Sequence, residues 1–247
     1  MNLPNAMTVG RIVATPAIAL LPFADSWQLR LLAFVLFVIA AVTDYYDGML
    51  ARTRNLVSDL GKQLDPLADK LLHVGTLVPM FWLTHSGMHA GLLSLHRDPL
   101  VPGVDGPMAL PGAPPGHAAF PFLTPFGPIA LPWWVLAVVI GREVFMTAFR
   151  SAAARKGTVI SAIGPAKWKT GFQLVWVGAA YFWFWASTLA AQQQWTNGAW
   201  RAFAQFNGIV GVLTMIGAVG LTLYSLVLYM QRYGAVLWGR PAAPPSA

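Results

Sequence analysis

Long apolar stretches joined by short polar segments make up most of this chain. Along its 247 residues, six such stretches stand out, at roughly 8–24, 29–51, 60–84, 128–153, 168–190 and 206–230. Each is near the ~20 residues that a helix needs to cross the ~30 Å hydrocarbon layer of a bilayer. Lipid offers backbone N–H and C=O groups no partner, so stretches of this kind are predicted to be helices. The strict alternation that would mark a membrane barrel is absent. The expected fold is all-α: a polytopic membrane protein with six transmembrane helices and both termini in the cytoplasm. Residues 1–236 are read as one membrane domain and 237–247, ending in "GRPAAPPSA", as a disordered tail. The first apolar stretch follows no basic leader, so it is expected to be a span and not a cleavable signal.

Residues 85–127 break the pattern. They are rich in proline and glycine and hold four of the five histidines. Such a composition interrupts helices, so an unusually long outer loop is expected here. His85 and His89 stand four apart, half of a metal site at most, and with no further ligand pattern they are read as scattered histidines of a flexible outer loop.

Composition narrows the class. Only 10% of residues are charged and 56% are hydrophobic, whereas soluble domains carry roughly 25% charged residues. The net charge of +7 comes from basic residues spread among the apolar stretches. A nucleic-acid surface would gather them on one soluble face, so no nucleic-acid partner is expected. With the N-terminus in the cytoplasm, thirteen of the sixteen Lys and Arg fall on the inner side, and only Arg30, Arg97 and Arg201 fall outside. The excess of inner positive charge supports that orientation. There is no cysteine, which excludes disulfides and thiolate chemistry.

Against this background, one segment is conspicuous. "DYYDGMLARTRNLVSDLGKQLDPLADK" (44–70) carries Asp44, Asp47, Asp59, Asp65 and Asp69, five of only nine acidic residues. Asp44, Asp47, Gly48 and Ala51 recur at helical spacing on one face, and Asp65 and Asp69 share a face of the next helix. A turn around "TRNLVSD" would fold the second helix back on the first, so that four carboxylates converge near the membrane surface. Four like charges in a partly dry site repel one another, and divalent cations are the natural compensation. Oxygen-only ligands suit Mg²⁺ or Mn²⁺, and a two-ion site could hold a pyrophosphate. Gly48 and Ala51 leave room for a ligand beside the carboxylates. Arg52 offers forked donors to phosphate, Gly61 thins the start of the third helix, and Pro66 is expected to kink it.

The spacing D-x2-D-G-x2-A-R-x8-G-x3-D-x3-D resembles, without gap or substitution, the signature of the CDP-alcohol phosphatidyltransferase family. The resemblance implies a six-helix membrane enzyme that displaces CMP from a CDP-linked alcohol, with two Mg²⁺ or Mn²⁺ ions and a cytoplasm-facing site. It implies Asp44, Asp47 and Asp65 as metal ligands. Asp69 is implied as general base, also touching a metal, and Gly48, Ala51, Arg52 and Gly61 as the cradle for CDP. "LPNAMTVGR" (3–11), "SDLGKQLDPLADKLL" (58–72), "GREVFMTAFR" (141–150) and "GPAKWKT" (164–170) resemble the phosphatidylglycerophosphate synthase branch. Ala166 stands where that branch is expected to have glycine.

A second cluster bears on the acceptor. Arg142, Glu143, Arg150, Arg155, Lys156, Lys167 and Lys169 gather at the ends of the fourth and fifth stretches. Charge there is costly unless it is paired or used. Glu143 and Arg150, seven apart, are expected to pair, while Arg142, Arg150, Lys167 and Lys169 are candidates to hold an acceptor phosphate. Arg155 and Lys156 are read as orientation signals. The resulting expectation is CDP-diacylglycerol:glycerol-3-phosphate phosphatidyl transfer in a bacterial cytoplasmic membrane, with CDP-diacylglycerol, glycerol 3-phosphate and membrane lipids as partners and a homodimer as an admissible assembly. Alternatives are a sibling enzyme using phosphatidylglycerol, inositol phosphate or serine, a divalent-cation transporter, and a non-catalytic lipid-binding scaffold. A transporter would place its carboxylates near mid-bilayer, whereas these stand near one face.

Overall fold

The computed structural model describes residues 3–53, 59–85, 122–158, 160, 165–195 and 197–237. Among them are six long α-helices: α1 (Leu3–Leu20), α2 (Trp27–Thr53), α3 (Asp59–His85), α4 (Trp133–Arg155), α5 (Pro165–Gln192) and α6 (Gly198–Leu237). The protein is an all-α, multi-pass membrane protein. By length and composition, the spans Leu3–Phe23, Trp27–Asp44, Trp168–Gln192 and Gly198–Ala235 are long and apolar enough to cross a bilayer. The helices α3 and α4 are less apolar because they carry the charged residues discussed below.

Several expected boundaries move. The first helix begins at Leu3 and gives way at Leu21–Phe23 to a short 3₁₀ turn containing Pro22. The fourth stretch does not begin at 128. Phe122–Thr124 and Gly127–Ile129 form an antiparallel hairpin, β1 and β2, and the helix starts only at Trp133, directly after Pro132. The expected loop over 85–127 is therefore ordered at its end, through β1 and the turn, while residues 86–121 lie outside the described residues. The sixth helix is longer than its apolar stretch at both ends. Pro66 and Pro79 both lie inside α3, which is a single helix from Asp59 to His85. The joint at 54–58 and the tail at 238–247 lie outside the described residues.

The chain divides into two compact units: Met1–Leu131 with Val177–Val212, and Pro132–Trp176 with Leu213–Ala247. In the first, α1 packs on both α2 and α3. Gly75 permits the close approach of α3 to α1, since a Cβ there would stand 2.7 Å from Thr15 Cγ2. Tyr181, fully buried, stacks on Phe37 with ring centroids 5.5 Å apart. Its hydroxyl donates to the carbonyls of Ile18 and Gly75 at 3.3 and 3.4 Å, which ties α5 to α1 and α3. The hairpin seats on α6 at two glycines: side chains at Gly208 and Gly211 would collide with the Leu123 backbone and the Phe122 ring.

Buried hydroxyls close onto their own helices. Thr15, Thr76 and Thr188 each donate to the carbonyl four residues back, so these three hydroxyls are satisfied within their own helices. Arg30, the one arginine expected in the outer part of α2, is buried and held by the Pro22 carbonyl, the Thr188 hydroxyl and Asp25. In the second unit the core is Met146, Phe149, Tyr229 and Tyr233, with Ile160 and Leu226 packed against it. Large apolar side chains such as Val13, Val144, Phe206 and Leu213 are exposed, as lipid-facing positions are.

Candidate active site

The acidic segment folds as its spacing predicts, into the end of α2 and the start of α3. What gathers its carboxylates is α1. Asn5, Thr8, Arg11 and Thr15 recur at helical spacing along one face of α1, and all four are buried. Apolar residues cover the rest of that helix, so this polar stripe must meet polar groups. It does. The Thr8 hydroxyl donates to Asp65 Oδ1 at 2.8 Å. Arg11 Nη1 hydrogen-bonds to Asp44 Oδ1 and, at 3.2 Å, to Asp69 Oδ1. One guanidinium therefore joins a carboxylate of α2 to a carboxylate of α3.

Exposure is divided unevenly across these pairs. The Arg11 side chain is 1% exposed, whereas Asp44 is 39% and Asp69 55% exposed. The cation is thus the inner floor, and each carboxylate keeps an accessible side. Asp65 is likewise exposed. A buried arginine without partners would be very costly; two charge-assisted hydrogen bonds offset that cost and fix the carboxylates' orientation. Further up, His73 Nδ1 lies 3.0 Å from the Asp69 carbonyl.

Among the described residues no three acids or histidines are grouped closely enough to enclose a metal ion. The chemistry of the donor set still suits a hard divalent cation: Asp44, Asp65 and Asp69 offer carboxylate oxygens alone, each is partly or fully exposed, and no thiolate competes. Gly61, also expected at the site, is buried near the start of α3. The backbones of Asp47, Gly48, Ala51 and Arg52 belong to α2, and the expectations placed on their side chains lie outside the described residues.

The basic cluster is organised differently from its expected form. Glu143 on α4 accepts from Arg142 Nη1 at 2.9 Å and from Lys169 Nζ on α5. Arg142 and Lys169 are buried beside Glu143, while Arg150, expected as its partner, is exposed and reaches α6. There its guanidinium lies 5.7 Å from the Tyr229 ring centroid and 3.4 Å from the Tyr229 hydroxyl. Arg142 also reaches α6, donating to Ser225 Oγ at 3.1 Å. Arg142, Arg150 and Lys169 are thus brought together with Ser225 and Tyr229. The side chain of Lys167 lies outside the described residues.

Spacing and composition do not single out four of these partners: Thr8, Arg11, Ser225 and Tyr229. For the first two a signal exists, the polar stripe on an apolar helix, although charge alone marks Arg11 only as an inner cation.

The family model of CDP-alcohol phosphatidyltransferase matches residues 1–102 and 117–224, nearly the whole chain. The chain belongs to this family. Among curated proteins, it is 29% identical over 243 residues to the CDP-diacylglycerol–glycerol-3-phosphate 3-phosphatidyltransferase 2 of Arabidopsis thaliana, covering 96% of this chain and 82% of the relative. It is 46% identical over 111 residues to a protein of Rickettsia bellii named for the same activity, covering 44% of this chain and 60% of the relative. It is also 28% identical over 245 residues to a CMP-forming cardiolipin synthase of Oryza sativa, covering 96% of this chain and 59% of the relative. The family is generally metal-dependent, in keeping with the carboxylate donors above.

Proposed function

We propose that this enzyme transfers a phosphatidyl group from CDP-diacylglycerol to glycerol 3-phosphate, yielding phosphatidylglycerophosphate and CMP for phospholipid synthesis. The observation that carries the reaction class is the meeting of Asp44 and Asp69, from two helices, on the buried Arg11. Three acids held with their outer sides accessible suit a pyrophosphate-bound metal pair better than a structural ion pair. Glycerol 3-phosphate as acceptor is supported by the names of the Arabidopsis and Rickettsia relatives and by the cations at Arg142, Arg150 and Lys169.

In this reading residues 1–236 form one catalytic domain that crosses the bacterial cytoplasmic membrane six times, with both termini and the site on the cytoplasmic side. Asp44, Asp47, Asp65 and Asp69 hold two Mg²⁺ or Mn²⁺ ions, and those ions supply charge neutralisation at the diphosphate. Gly48, Ala51, Arg52 and Gly61 cradle the CDP group. Asp69 takes the proton from the 1-hydroxyl of glycerol 3-phosphate. The hydroxyl oxygen attacks the lipid-side phosphorus in line; the bond to the bridging oxygen breaks, and CMP leaves with that oxygen. Arg142, Arg150, Lys167 and Lys169 orient the acceptor phosphate. The acyl chains stay in lipid throughout.

A second reading, phosphatidylglycerol as acceptor, is favoured by the rice relative. One experiment separates them. Purified protein receives CDP-diacylglycerol, Mg²⁺ or Mn²⁺, and one candidate acceptor at a time, and CMP release is followed. Release with glycerol 3-phosphate and not with phosphatidylglycerol, inositol phosphate or serine is expected. Release with phosphatidylglycerol alone would overturn the assignment of the acceptor. Full release in excess chelator would overturn the metal assignment.

A further inference from the structure

We infer that Arg11 is a positioning residue for the carboxylate site, standing in for the metal charge whenever the metal is absent. The inference rests on the metal reading above. Arg11 comes from a helix that contributes no carboxylate, yet its guanidinium is buried and bonded to one acid on α2 and another on α3. Without a cation at this point, like charges on Asp44 and Asp69 would push α2 and α3 apart, and Asp65 would add to that repulsion. Thr8, one turn away on the same face of α1, steadies Asp65 with a neutral donor. The first helix thus supplies a charged floor and a neutral one, and the carboxylates remain in register for an incoming ion.

Two consequences follow from this geometry. A bound divalent cation takes over the neutralising role, so the protein depends on Arg11 most when metal is missing. Lysine can supply the charge but only one contact direction, not the fork that reaches two acids at once.

The test is thermal unfolding of the purified, detergent-solubilised full chain, in chelator and in saturating Mn²⁺, for wild type, Arg11→Met and Arg11→Lys. Breaking one partner of a buried ion pair is strongly destabilising. In chelator, Arg11→Met should lower the apparent Tm by about 10 °C. In Mn²⁺ the loss should shrink to less than about half of that, which widens the metal-induced gain in Tm relative to wild type. Arg11→Lys should fall between the two. Equal losses with and without Mn²⁺ would make Arg11 an ordinary structural residue and overturn the inference, as would no loss in either. Should Arg11→Met fail to fold in both conditions, Arg11→Lys decides on the same criterion: a gain from Mn²⁺ no larger than that of wild type overturns the inference. A wild-type Tm indifferent to both Mn²⁺ and Mg²⁺ would instead remove the metal reading and the inference with it. If wild type responds and the variants show no widened gain, only the role of Arg11 falls.

Discussion

The acidic site on α1–α3 and the basic cluster on α4–α6 are near mirror images in charge. At the first, one buried cation, Arg11, serves Asp44 and Asp69, with Asp65 alongside on Thr8. At the second, one carboxylate, Glu143, serves the buried Arg142 and Lys169, with Arg150 alongside on Tyr229. Each cluster uses a single opposite charge to hold like charges together, and the excess charge is left for a ligand. The difference lies in which partner is buried. At the acidic site the lone counter-charge forms the floor and the majority groups stay accessible. At the basic cluster Arg142 and Lys169 are themselves buried, and Arg150 is exposed. Asp44 and Asp69 are 39% and 55% exposed, so a metal can approach them from outside, whereas a phosphate must share Arg142 and Lys169 with Glu143. The first site should therefore depend steeply on each of its acids, and the second should respond in a graded way.

The largest effects are expected at the acids. Asp44→Asn should reduce CMP release on the order of a thousandfold, since a neutral amide withdraws several kcal/mol of support for the charge at the diphosphate. Asp69→Asn should cost at least about a hundredfold in kcat while sparing CDP-diacylglycerol binding, measured by titration of the lipid substrate. Loss of that binding to the extent seen with Asp44→Asn would make Asp69 chiefly a ligand.

At the basic cluster the response should be milder and confined to one substrate. A charge-assisted hydrogen bond contributes roughly 1.5–3 kcal/mol, or about tenfold to a hundredfold in affinity. Lys169→Ala should raise KM for glycerol 3-phosphate within that range and leave KM for CDP-diacylglycerol nearly unchanged. Steady-state kinetics in both substrates checks this. An equal rise in both would mean that the cluster supports the fold and not the acceptor. Smallest of all, Tyr229→Phe removes a 3.4 Å hydroxyl contact to Arg150 but keeps the ring beneath its guanidinium. At 3.4 Å the lost hydroxyl contact is long, at the weak end of the ~0.5–1.5 kcal/mol of a net hydrogen bond, so KM for the acceptor should shift by less than about threefold. A larger shift would show that the hydroxyl orients Arg150.

Much of this protein was legible in its residues. Apolar length alone predicts the six helices, because lipid leaves the backbone no other way to satisfy its hydrogen bonds. The i, i+3 and i+4 placement of Asp44, Asp47, Asp65 and Asp69 predicts their helical faces, because local geometry maps sequence spacing directly onto a helix surface. The hairpin at 122–129 was hidden at the seam between the proline-rich loop and the fourth apolar stretch. A strand of three residues is too short to show a period, and its partner for packing is the pair Gly208 and Gly211, far along the chain.

Tertiary structure alone decided the partners. Arg11 reaches Asp44 across 33 residues and Asp69 across 58. Nothing in local spacing indicates which of many inner cations will be buried, and packing of α1 against α2 and α3 makes that choice. Likewise Glu143 and Arg150 share a face of α4, yet Glu143 goes to its neighbour Arg142 and to Lys169 of another helix. A buried charge takes the partners whose own burial most requires it, and burial is a property of the assembled helices, not of any one of them.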